Sequence, residues 1–194
     1  MNRILIIFSA LLLSACAAKQ SQLNVQPQIE YDGKTYVLAA SQDLDTVARF
    51  VYVTKNDSWD NWQSQIELLL DRNQPPRTIK DRIALRERVY RNLGVADFKL
   101  SLQKGRNRQP DELISSVIYA PTKQNSSWQV DVARGRSIPH CGFVQFQYSQ
   151  KIQRNNKFTR LEQSKVMKYL QKYVSSKEQK QLQKMPWQWN CGKD

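Results

Sequence analysis

The sequence predicts an α+β fold, a mostly antiparallel sheet of about five or six strands with helices packed on one side. Three observations predict it. Segments of apolar/polar alternation crowd the middle of the chain. Segments with three- and four-residue apolar spacing stand before and after them, and turn residues separate the pieces without any internal repeat. The 194 residues show no second domain boundary and suit one core of ordinary size.

Taken in order, Asp32-Gly33 is a turn signal, and 34–40 (KTYVLAA) reads as a short strand. The β-branched and aromatic residues of 46–55 (TVARFVYVTK) read as another. The period then changes. Asp57 or Ser58 is placed to cap a helix with apolar positions Trp59, Trp62, Ile66, Leu69 and Leu70, ended by Pro75-Pro76. Thr78 opens a second helix that runs to about Leu93 and stops at Gly94, with Ile79, Ile83, Tyr90 and Leu93 inward. Four strands follow, at 96–102, 113–120, 128–132 and 144–148. Two charged turns are expected between strands, Lys104-Gly105-Arg106-Asn107-Arg108 and Arg134-Gly135-Arg136. A helix over 158–174 puts Val166, Tyr169, Leu170 and Tyr173 on one face and Lys165, Lys168 and Lys172 on another. A shorter helix, 176–184, precedes the aromatic tail MPWQWNCGKD.

At the amino terminus Arg3 precedes the apolar run 4–13, with Ser14 and Ala15 after it. That order is a secretory signal too short to span a bilayer. Leu13-Ser14-Ala15-Cys16 resembles the lipobox of bacterial lipoproteins. The resemblance implies removal of 1–15 and acylation of Cys16. Ala17, in the place where aspartate would favour inner-membrane retention, implies the outer membrane with the domain facing the periplasm. One acyl chain anchors a protein only marginally, so several chains on one cysteine would make the attachment persistent. The Gln-rich stretch 16–29 reads as the lipidated cysteine and a flexible tether, and 30–194 as a single globular domain.

The formal charge is +13, and 150–194 contributes eleven Lys or Arg against three Asp or Glu, a net of +8. Such a surface suits an acidic protein face, an anionic polymer or lipid head groups, or is simply solvated. The compartment disfavours nucleic acid. Lys104, Arg106, Arg108, Arg134, Arg136, Lys165, Lys168 and Lys172 are the candidate partner-binding residues. With Cys16 acylated, Cys141 and Cys191 remain, and an even pair in an exported domain predicts a disulfide.

Catalytic signals are weak. His140-Cys141 places an imidazole beside a thiol, but strand neighbours point to opposite faces. His140 is also the only histidine, which removes multi-histidine metal sites. The run 56–61 lacks the glycine and distal glutamate of a calcium loop, and the carboxylate pairs Asp43/Asp45 and Glu67/Asp71 carry no acid-base signature. Trp187 and Trp189 either line a site with nearby lysines or pack on the body near Cys191, and packing is favoured. No cofactor, metal or catalytic set is read. The expectation is a non-enzymatic interaction or assembly subunit of a cell-envelope system. The alternatives are direct binding of an anionic envelope polymer or lipid head group, and an enzyme using Cys141.

Overall fold

The computed structural model describes residues 22–72, 75–107, 109–153 and 156–192. The signal segment, Cys16 and Arg108 lie outside the described residues. Four strands come first: β1 (Gln28–Tyr31), β2 (Lys34–Asp43), β3 (Val47–Thr54) and β4 (Ser64–Asp71). Helix α1 (Ile79–Asn92) leads to β5 (Asp97–Gln103), β6 (Glu112–Tyr119), β7 (Trp128–Ile138) and β8 (Gly142–Ile152). The chain continues through α2 (Asn156–Thr159), α3 (Gln163–Tyr169), a π-helical turn (Leu170–Ser175) and α4 (Ser176–Lys184).

All eight strands form one antiparallel sheet in the order β1-β2-β3-β4-β8-β7-β6-β5. Two four-stranded meanders are thus joined where β4 pairs with β8. The sheet is curled into a half-barrel. In a flat sheet four spacings of ~4.8 Å would put β1 about 19 Å from β8. The rings of Tyr31 on β1 and Tyr148 on β8 nevertheless lie 4.7 Å apart, so the sheet closes toward the face they share. That inner face carries Tyr36, Tyr52, Ile66, Leu68, Leu70, Val144 and Phe146, all fully buried.

The fold is mixed α/β as expected, but three particulars differ. The strand count is eight, not five or six. Two of the extra strands are β1, which begins within the stretch read as tether, and β4, which replaces the helix expected after Asp57. The four-residue step from Ile66 to Leu70 that fitted a helix is also two strand alternations. Ser64, Ile66, Leu68 and Leu70 face inward, and Gln65, Glu67 and Asp71 face out. Pairing on both edges of this central strand decides between the two periods.

Helices, finally, cover both faces rather than one. Leu182 and the tail lie in the inner core, and Val166 and Leu170 pack on Ile118, Trp128 and Val130 of the same face. Helix α1 sits outside, with Ile79 against Leu113 and Phe143. Thr78 caps α1, as its position predicts: the Asp81 N–H donates to Thr78 Oγ1 (3.1 Å), and the Thr78 N–H donates back to Asp81 Oδ2 (3.2 Å). Leu93, expected inward, is the exposed C-cap. The last two helices are one continuous element, because the π turn carries α3 into α4 without a break.

Cys141 and Cys191 are bonded, with Cα atoms 5.5 Å apart. Leu23 bridges Cys191, and the Asn24 N–H donates to Asn190 O (2.9 Å), so the chain joins the fold from Leu23 onward. Trp189 packs as favoured, buried and stacked on Phe146 at 4.7 Å.

Candidate functional site

A cleft of about 940 Å³ opens at one end of the half-barrel, between the loop after β5, the strands β6 and β7, and the chain leaving α4. Its floor is made by two arginines. Arg134 and Arg136 belong to β7 and are buried, so the expected charged turn is instead strand interior. Alternation explains why both point inward, and Gly135 between them faces out. There a Cβ on Gly135 would meet the Phe143 ring at 2.5 Å.

Both guanidiniums converge on one carboxylate oxygen. Arg134 Nη2 donates to Glu112 Oε1 at 2.7 Å, and Arg136 Nη2 lies 3.1 Å from the same atom. Arg134 also donates through Nη1 to the carbonyls of Leu182 (3.1 Å) and Met185 (2.7 Å), closing the carboxyl end of α4. Arg136 Nη1 donates to Gln109 Oε1 (3.1 Å), and its guanidinium lies 4.2 Å from the centre of the Trp187 ring. Trp187 is fixed in turn by its indole N–H, which donates to Trp189 O (2.7 Å).

The rim is the loop after β5. Lys104 pairs with Asp111 (2.8 Å), whose other oxygen accepts the Gly105 N–H (3.1 Å). A side chain at Gly105 would strike Gln109 O, so this approach requires glycine. Arg106 is exposed on the rim. Four cations, Lys104, Arg106, Arg134 and Arg136, therefore stand against two carboxylates, Asp111 and Glu112. Burial pushes the Arg136 pKa below the ordinary guanidinium value, Glu112 opposes this, and Arg134 adds to it. Arg134 Nε and Arg136 Nε are buried with no hydrogen-bond partner among the described residues. The arrangement can hold and orient an anion.

The structure thus divides the sequence candidates. Lys104, Arg106, Arg134 and Arg136 meet in the cleft with Trp187, which lines this site beside arginines rather than the helix lysines, and with Glu112, which the sequence alone does not single out. Lys165, Lys168 and Lys172 are exposed on the C-terminal helix and take no part in the cleft. Lys172 lines a separate hollow with Lys177, Lys180 and Lys184. His140 is exposed in the β7–β8 turn, and the Cys141 sulfur is bonded to Cys191. The carboxylates Asp43, Glu67 and Asp71 are bound in ion pairs with Arg72, Arg49 and Arg82.

A family model matches residues 23–187, a span that starts at the residue bridging Cys191 and includes the whole cleft lining. The chain belongs to this family. It is 55% identical over 193 residues to a protein of Haemophilus influenzae (strain ATCC 51907 / DSM 11121 / KW20 / Rd) described as an uncharacterized protein, with 100% of both chains covered. No solved structure matches the chain. Among the described residues no helix is long and apolar enough to cross a membrane.

Sequence alternation alone would leave Asp131 on the wet face of β7, but the structure buries it at 6% exposure beneath α1. Its carboxylate accepts from Gln129 Nε2 (2.9 Å) and Gln147 Nε2 (3.3 Å), while Glu67 adds like charge from β4. Burial raises the pKa values of Tyr90 on α1 and Tyr119 on β6, Asp131 adds to both, and Arg86 of α1 opposes both. Burial pushes the Asp131 pKa up to about 6. A carboxyl raised in the folded state binds its proton more tightly there, so stability falls as pH climbs from the unfolded value of 3.8 to about 6. Above that the deficit is constant, on the order of 3 kcal/mol at ~1.4 kcal/mol per pKa unit. Asp131→Asn is expected to match the parent protein below pH 4 and to exceed its stability by about 2 kcal/mol at pH 8, some of the gain being offset by weaker hydrogen bonds. Urea denaturation at both pH values checks this.

Proposed function

We propose that the protein is a lipid-anchored, non-enzymatic interaction subunit of a cell-envelope system. Cys16 holds it on the outer membrane facing the periplasm, and the basic cleft grips an acidic segment of an envelope protein partner. The observation that carries this is the excess of fixed positive charge in a concave site: two buried guanidiniums share one carboxylate beside an indole, under a rim of Lys104 and Arg106. An incoming carboxylate or phosphate would find preorganised donors and would relieve the Arg134–Arg136 repulsion.

The test is photo-crosslinking in intact cells from a probe at Gln109, on the cleft rim. One protein adduct is expected. The double reversal Lys104→Glu and Arg106→Glu, on exposed positions that leave the fold intact, is expected to reduce it about tenfold, a loss of ~1.4 kcal/mol. An adduct unchanged by the reversal would refute the cleft as the docking site.

A second occupant, an anionic polymer or lipid head group, is favoured by the exposed lysines of the C-terminal helix and the hollow that Lys172 shares with Lys177, Lys180 and Lys184. Here retention on anionic-lipid vesicles or envelope polymer would fall with salt and with Lys165→Gln, Lys168→Gln and Lys172→Gln together. The rim reversal would leave that retention unchanged.

A further inference from the structure

On the outer face, away from the basic cleft, a groove of about 370 Å³ runs over β2, β3 and β4 below the loop 55–63. We propose that it binds an uncharged N-acetylhexosamine oligosaccharide, with Trp59 as the stacking platform. This is independent of the basic cleft and of what that cleft holds.

Trp59 is 63% exposed, an unusual place for a large indole, and the loop that carries it is braced rather than slack. Asp57 Oδ2 accepts from Thr54 Oγ1 (3.0 Å) and from the Gln63 N–H (3.3 Å). Ser58 Oγ accepts the Asn61 N–H (3.2 Å), and the Ser58 N–H donates to Asn61 O (3.0 Å). These are the residues whose type suggested a helix cap, and they hold a turn that lifts Trp59 into solvent. Trp62, only 8% exposed, forms the wall below it, with Lys151 Nζ 4.3 Å from its ring centre.

The groove's floor and sides specify the ligand further. A β-bulge between Leu38 and Ala40 changes which residues of β2 face outward, bringing Ala40 opposite Val51 and Gln42 opposite Arg49. Ala40 and Val51 make a small apolar floor of the size of an acetamido methyl group. Gln42 and Gln65 offer amides able to pair with an acetamido N–H and C=O, and both line the groove. The two charges that line it, Arg49 and Glu67, are ion-paired with each other, which leaves the lining without net charge, and Lys151 lies against Trp62 without being part of the lining. Planar polar side chains beside an exposed indole face match a ring with hydroxyls at its edge and C–H bonds on its face. The volume is at the small end of ligand sites, suited to one or two sugar rings rather than a long chain.

The test is a fluorescence and calorimetric titration of the full-length protein with triacetylchitotriose, in a detergent without a sugar head group. Saturable quenching is expected with a Kd of about a millimolar or tighter, unchanged between roughly 0.05 and 0.5 M salt. Trp59→Ala, which removes an exposed side chain, is expected to keep its melting temperature within about 2 °C and weaken binding at least about tenfold. Gln42→Leu is expected to weaken it without altering the emission of the unliganded protein. The proposal is overturned by no saturation up to about 10 mM, by Trp59→Ala binding as tightly as the parent, or by affinity that follows the Lys104→Glu/Arg106→Glu reversal instead.

Discussion

Replacing Glu112 with glutamine is expected to destabilise the protein by about 3 to 5 kcal/mol, the cost of breaking a buried ion pair from one side. Glu112 Oε1 is the common acceptor of two arginine side chains that are 8% and 10% exposed. Glutamine keeps an oxygen for one of them and removes the charge that reconciles both. Arg134 stays in place because it also holds Leu182 O and Met185 O, so the repulsion falls on Arg136. Urea denaturation should show the midpoint moving down with an unchanged slope, because the surface exposed on unfolding is the same. Added phosphate should restore more stability to the variant than to the parent protein, since an anion in the cleft replaces the lost charge and binds only the folded state. A loss under about 1 kcal/mol, with no difference in phosphate response, would mean that water already solvates the pair.

The same residues show what could be read from the sequence and what could not. In the sheet's second half β5 and β8 were legible because they alternate, β6 from its apolar run and β7 only as far as Val132, and α1 was legible because Thr78 and Asp81 form a capping box in which both partners are local. β4 was not legible, since Ile66 and Leu70 satisfy both periods and only pairing with β3 and β8 distinguishes them. Arg-Gly-Arg read as a turn by composition, yet its fate depends on Glu112, which is 22 residues from Arg134 in sequence and diagonal to it across the β6–β7 ladder. A long-range carboxylate leaves no local signal. Asp131 was hidden for the same reason, because the wet face of its strand is dry only where α1 crosses it. The lysine face of the C-terminal helix was legible from spacing alone, since nothing long-range covers it.

Loss of the Cys141–Cys191 bond is expected to cost about 4 kcal/mol, the chain-entropy value for closing a loop of this size. The bonded residues are 50 apart, and the loop they close contains β8, the C-terminal helix and the aromatic tail. The consequence reaches the cleft. Cys191 is where Leu23 bridges to the tail, Trp189 stacks on Phe146, and Trp189 O holds the Trp187 indole over Arg136. Cys191→Ser should therefore lower the urea midpoint and also loosen the indoles, seen as a red-shifted tryptophan emission and weaker near-ultraviolet dichroism. Cys141→Ser should lower stability equally, and the double variant no further, because each single change already removes the one bond. Dithiothreitol should bring the parent protein down to the variants and leave them unaffected. If anion binding in the cleft survived Cys191→Ser unchanged, Trp187 would be held by α4 alone, and the covalent closure would serve stability without shaping the site.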